Sequence, residues 1–133
     1  MSEIKWNKKY AIGHDRIDFE HQIFVDLIAK IDDASKVEKN EHYIGRLLEE
    51  LLAYTKFHFI SEENIMYSIS YPDYEVHKRH HRELLEQYNR KMIEIELGEQ
   101  IIEDFIVFLK AWFVSHTLTE DKKIASFVQG KHV

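Results

Sequence analysis

Cysteine is absent from the 133 residues, which excludes disulfides, thiolate zinc sites, iron–sulfur clusters and thiol nucleophiles. Any metal held by this chain must be bound through nitrogen and oxygen. One proline and four glycines leave too little turn chemistry for a strand-rich fold. No 18 consecutive apolar residues occur, and the opening MSEIKWNKKYAIGHD has no apolar run behind its charges. Neither a membrane span nor a secretory leader is indicated, and the expected location is the cytoplasm. A basic face is missing as well: 18 Lys and Arg against 24 Asp and Glu give a net charge of −6, with the bases scattered along the chain. No nucleic-acid partner is expected.

What the chain does have is 44% hydrophobic residues, enough to close one core, and a Leu, Ile, Glu and Lys content that favours helices. The 3.6-residue pattern predicts four of them. The first runs from about Asp18, read as its N-cap, to Ala34, with His21, Phe24, Val25 and Ile28 on one stripe. The second runs from about Glu41 to Tyr67, its stripe being Ile44, Leu47, Leu48, Leu51, Thr55, His58, Glu62 and Ile65. The third follows Pro72 and Asp73 and reaches about Leu97, ahead of Gly98, with His77, His81, Leu84, Leu85, Tyr88, Met92 and Ile95 in register. The fourth starts near Glu99 and carries Ile102, Phe105, Ile106, Leu109, Trp112, Phe113 and His116. Short connections make neighbours antiparallel, so the expected fold is all-α, an up-down-up-down four-helix bundle. The organisation predicted is one domain over residues 1–133, with 1–17 an N-terminal arm whose Trp6 and Tyr10 pack on the bundle, and 18–128 the bundle and a C-terminal extension.

Histidines and a glutamate stand on these greasy stripes. Spacing alone does not decide their role, because nine histidines in a chain of this length give about 0.6 His-x-x-x-His pairs by chance. Position does: His21, His58, Glu62, His77, His81 and His116 fall on the apolar stripes of four different helices, where they face one another. His14, His42, His80 and His132 do not share that placement. A single buried histidine is ordinarily a neutral ring with one hydrogen-bond partner. Five rings and a carboxylate converging would leave many buried polar groups unpaired at about 1–3 kcal/mol each, comparable to the whole stability of a small domain. Divalent cations remove that penalty by occupying the lone pairs.

The same residues resemble the hemerythrins, specifically the single-domain bacteriohemerythrins. The resemblance spans nearly the whole chain and rests on IDFEH at 17–21, HFISEE at 58–63, H-x-x-x-H at 77–81 and WFVSHTLTED at 112–121. It implies a non-haem di-iron centre in which His77, His81 and His116 hold one iron and His21 and His58 the other. Glu62, Asp121 and an oxo or hydroxo group would bridge them. Asp121 comes from the resemblance alone: an undisturbed α-helix puts Glu120, not Asp121, on the face of His116, so the fourth helix is expected to end or tighten between Thr117 and Asp121 and to leave Glu120 solvated.

The family's ligand count leaves one iron a vacant position for dioxygen, and the implied function is reversible oxygen binding for storage, delivery or sensing rather than enzymatic turnover. By offset from the ligands the oxygen pocket is predicted to include Phe24, Phe59, Trp112, Phe113 and Thr117. Phe113 stands where the family commonly has leucine and Thr117 where it commonly has isoleucine, which implies a narrower and wetter pocket and faster autoxidation. The partners implied are dioxygen and an oxygen-consuming enzyme or a reductase in trans, for a monomer or small homo-oligomer. Two readings compete. One is a di-iron oxidoreductase acting on peroxide or nitric oxide, or a sensor of nitric oxide or oxygen, although oxygen-activating bundles use more glutamate and fewer histidines. The other is a structural zinc domain, which takes only four ligands per ion.

Overall fold

The computed structural model describes residues 5–37 and 41–130; His132 lies outside them. Four long helices make the bundle: α1 (Asp15–Val37), α2 (Glu41–Ser68), α3 (Tyr74–Glu96) and α4 (Ile102–His116). They run up, down, up and down, with α1 packed on α2 and α4, and α2 on α3. After α4 the backbone makes a π-helical turn, Thr117–Asp121, and continues as α5 (Lys122–Gly130). The described residues form no strand.

Two helix starts differ from the sequence expectation. α1 begins three residues before Asp18, because His14 Nδ1 accepts the Ile17 backbone N–H at 3.2 Å and does the capping that Asp18 was expected to do. The Asp18 carboxylate instead accepts the backbone N–H groups of Ile12 (2.8 Å) and Gly13 (3.1 Å), fastening the arm to the first turn of the helix. α4 begins at Ile102 rather than near Glu99. Gly98, at φ +75°, reverses the chain after α3, and the Glu99 N–H closes back on Glu94 O at 2.8 Å, so residues 97–101 are spent on the turn.

Ahead of α1, Trp6 and Tyr10 pack against the bundle. A single 3₁₀ turn, Lys8–Tyr10, leads into it, and Tyr10 lies edge-on to Phe113 with ring centroids 5.6 Å apart, while Trp6 leans on Tyr10 at 5.9 Å.

Two apolar clusters fill the bundle. The larger joins Phe24, Val25, Ile28, Ile31, Ile44, Leu47, Leu48, Leu51, Tyr88, Phe105, Ile106, Leu109 and Phe113. The smaller joins Ile12, Ile17, Met66, Tyr71, Ile124 and Ala125. Between them, each of the four helical walls changes character. His21 falls between Ile17 and Phe24, His58 and Glu62 between Leu51 and Met66, His77 and His81 between Tyr71 and Tyr88, and His116 and Asp121 between Phe113 and Ile124. The polar residues thus form one layer, sealed above and below by hydrocarbon.

Candidate metal centre

All seven expected ligands lie in that layer, and all are buried. Six arrive by regular helix geometry: His58 and Glu62 are one turn apart on α2, His77 and His81 one turn apart on α3, His21 projects from α1 and His116 from the last turn of α4. Asp121 arrives differently. The helix neither ends nor tightens after His116, as the sequence suggested, but loosens. The Lys122 N–H bonds to Thr117 O, five residues back, and this π turn swings a residue five positions after His116 onto its face. Glu120 is not fully solvated either; it is partly buried beside His80 and Lys123.

The donor atoms sort into two groups, each within 4.8 Å of mutual separation: Glu62, His77, His81, His116 and Asp121 in one, and His21, His58, Glu62 and Asp121 in the other. The two carboxylates belong to both, and each divides its oxygens between them. Glu62 Oε1 is 2.7 Å from His77 Nε2 and 3.0 Å from His81 Nε2, whereas Oε2 is 3.4 Å from His58 Nε2 and 3.9 Å from His21 Nε2. Asp121 Oδ1 is 3.1 Å from both His77 and His116 Nε2, and Oδ2 is 3.1 Å from His21 Nε2.

Proximity has produced only part of the hydrogen bonding. His77 and His81 share Glu62 Oε1, but Glu62 Oε2, His116 Nε2 and Asp121 Oδ1 are buried without a hydrogen-bond partner, although His116 Nε2 and Asp121 Oδ1 are only 3.1 Å apart. Atoms this close without alignment point past one another to a common spot. Two donors each about 2.1 Å from one ion at right angles stand about 3.0 Å apart, close to the spacing observed. The residues present therefore fit a pair of cations bound by nitrogen and oxygen, with three rings on one side and two on the other.

Outside the ring of donors, two carboxylates that the sequence reading left without a role fix the histidines. Glu20 Oε1 lies 2.7 Å from His58 Nδ1, and its Oε2 accepts from Ser61 Oγ at 2.8 Å and from Arg16. Tyr54 donates to the Glu20 backbone carbonyl at 2.8 Å. Glu63 Oε2 lies 2.8 Å from His81 Nδ1. A carboxylate at Nδ1 holds the proton there and leaves the Nε2 lone pair facing the centre. The signal for Glu20 was present, since position 20 shares the stripe of Ile17, Phe24 and Ile28.

Of the expected oxygen-pocket residues, Phe24, Phe59, Phe113 and Thr117 are buried and Trp112 is half-buried. They divide between the two sides. Phe113 is edge-on to His21 at 5.4 Å and stacked on Phe24 at 5.4 Å. Phe59 stacks on His81 at 3.8 Å, and Trp112 on His116 at 4.5 Å.

Without metal, the layer carries protons. Burial disfavours charge on His58, but the hydrogen bond to Glu20 and the nearby Glu62 carboxylate outweigh it and push the ring up to about 10. Burial likewise opposes charge on His77, and Asp121 and Glu62 overcome it, pushing that ring up to about 9. Glu62 is driven well below the usual carboxylate range by its three histidine partners despite its burial. Both rings bind protons more tightly folded than unfolded, so their stabilisation is complete below the ordinary histidine value and disappears as pH rises through about 9 to 10. The urea midpoint of metal-free protein is thus expected to fall steadily above neutral pH, and a flat or rising midpoint would contradict the proton assignment.

The chain has known counterparts. The model of the hemerythrin HHE cation binding domain family matches residues 12–128. A bacteriohemerythrin of Methylococcus capsulatus is 30% identical over 106 residues, covering 79% of this chain and 80% of the relative. One from Clostridium acetobutylicum is 28% identical over 127 residues, covering 89% and 95%. The crystal structure of a wild-type hemerythrin superposes with a TM-score of 0.85 at 26% identity, over 94% of this chain and 97% of that one.

Proposed function

The chain belongs to the hemerythrin family, and from that premise we propose that its polar layer holds two iron ions and binds dioxygen reversibly, for storage, delivery or sensing. The observation that carries this reading is the division of Glu62 and Asp121 between two unequal histidine groups, three rings against two. His77, His81 and His116 would hold one ion, His21 and His58 the other, with Glu62 and Asp121 common to both. When bound, the ions supply electrons and a Lewis-acidic position open to dioxygen on the side with fewer rings.

The remaining work falls to the protein. Glu62 and Asp121 supply the negative charge that makes a cation pair tolerable between two hydrocarbon clusters. Glu20 and Glu63 keep Nε2 of His58 and His81 turned inward. Phe113 and Phe24 close the side of His21 against water, and Phe59 and Trp112 cover His81 and His116. Excluding water and proton donors is what keeps binding reversible rather than reactive. Five rings and only two shared carboxylates distinguish this donor set from carboxylate-rich oxygen-activating bundles.

Among the described residues no helix is long and apolar enough to cross a membrane. An oxygen-consuming enzyme or a reductase in trans is the proposed partner.

The test is optical. A visible absorption band should appear when reduced protein meets oxygen and vanish when oxygen is removed, whereas irreversible bleaching with turnover would favour the enzyme. Thr117 places a buried hydroxyl immediately after His116, where a proton donor shortens the life of the oxygen-bound form. Thr117→Ile is expected to slow autoxidation several-fold, and an unchanged decay rate would remove Thr117 from the account.

A further inference from the structure

The seven donors are not equally sealed. His116 is 7% exposed, and none of the other six exceeds 4%. Its ring forms part of the wall of a cleft of about 250 Å³ on the outer surface of the bundle, between α3 and the α4–π-turn segment. His80, Glu83 and Gln87 line the cleft from α3, and Ser115 and Glu120 line it from the other side. Cleft and metal layer are therefore separated by one imidazole, more than nine-tenths buried, whose Nε2 has no hydrogen-bond partner and lies 3.1 Å from Asp121 Oδ1.

The cleft has donors of its own. His80 Nδ1 and Glu120 Oε1 are 3.6 Å apart, beyond hydrogen-bonding range. Two ligand atoms each about 2.1 Å from one ion at a tetrahedral angle stand about 3.4 Å apart, so this pair is spaced to take a divalent cation between them. Lys123 engages the other oxygen of Glu120, at 3.4 Å, and leaves Oε1 to face His80. Glu83 adds a second negative charge at the rim.

We propose that this cleft is the port through which ferrous ions reach and leave the centre. His80 and Glu120 act as transient ligands that pass the ion to His116. The π turn contributes directly: the same five residues that swing Asp121 inward carry Glu120 to the cleft, so the port and the innermost carboxylate are adjacent in sequence. This role rests on the di-iron reading above, but it concerns the rate of metal exchange and not the final occupancy.

Iron release from reduced, loaded protein to an external ferrous chelator tests it, with iron per chain measured before release. The double variant His80→Ala, Glu120→Gln is expected to keep two irons per chain and to release them several-fold more slowly, because the ligands that would carry the ion across the cleft are gone while the seven donors of the centre are untouched. Ser115→Phe, which fills the cleft from an exposed position, should slow release without removing any donor. Glu103→Gln, at the opposite end of α4, makes the same charge change as Glu120→Gln and should leave the rate unchanged. Unchanged release in both cleft variants, or equal slowing by Glu103→Gln, would overturn the port. Wild-type protein holding fewer than two irons would instead overturn the di-iron reading on which it rests.

Discussion

Glu62→Gln is expected to lower the iron content of purified protein from two per chain to one or none and to abolish the oxygen-dependent absorption band. The effect follows from how the carboxylate is shared. Its Oε1 faces His77 and His81 and its Oε2 faces His58 and His21, and among the described residues only Asp121 is likewise shared by both donor groups. Glutamine keeps the size and packing of the side chain but replaces one oxygen with an amide nitrogen that carries hydrogens and cannot ligate. It also removes one of the two negative charges that offset the cations in a site with 0% exposure. Colorimetric iron analysis together with circular dichroism separates loss of metal from loss of fold. A folded variant that retains two irons would show that Glu62 is not a shared ligand.

The second large effect is expected at Glu20, which touches no donor position of the centre except through His58. Glu20→Gln weakens the negative charge at His58 Nδ1, 2.7 Å away, and with it the hold on ring orientation and basicity. Loss of such a supporting partner typically weakens metal binding by about 10- to 100-fold. Only the two-ring side should suffer, because Glu63 independently fixes His81 on the three-ring side. Chelator competition is therefore expected to become biphasic, with one iron leaving far more readily than the other. Equal weakening of both irons would mean that Glu20 acts through the fold as a whole. The other contacts of its side chain, to Ser61 and Arg16, make the isosteric glutamine the appropriate probe rather than alanine.

These residues also show where the sequence speaks and where it is silent. The bundle and six donors were legible because helical periodicity places residues in space without further information: His58 and Glu62, or His77 and His81, can only lie one above the other if the segment is helical. Asp121 was not legible from periodicity. A π turn has no compositional signature, and ordinary helix arithmetic selects Glu120; only the family resemblance pointed to Asp121, and even then the expected device, an ended or tightened helix, was opposite to the loosened turn observed. Asp18 illustrates a different failure. An acid at the head of a periodic segment reads as a cap, but its carboxylate was taken by the backbone of Ile12 and Gly13, and the cap passed to His14, a residue with low prior for that position. Glu20 and Glu63 escaped notice because each adjoins a more conspicuous ligand in sequence. Their role depends on which nitrogen of a ring across the bundle they meet, and that is a tertiary fact.

The layered core explains why such a polar cluster is tolerable at all. The four walls of the bundle bring their histidines and the two shared carboxylates together at one level, and apolar clusters lie on both sides of it. Removing the cations leaves protons on His58 and His77 to do part of the same electrostatic work, which ties the stability of the empty protein to pH.

Anomalous diffraction at the iron edge, on crystals of protein purified without added metal, addresses the central claim most directly. Two iron peaks are predicted inside the bundle, one among His77, His81 and His116 and the other beside His21 and His58, both in contact with Glu62 and Asp121. A single peak, a different metal, or density bound by only one of the two carboxylates would contradict it.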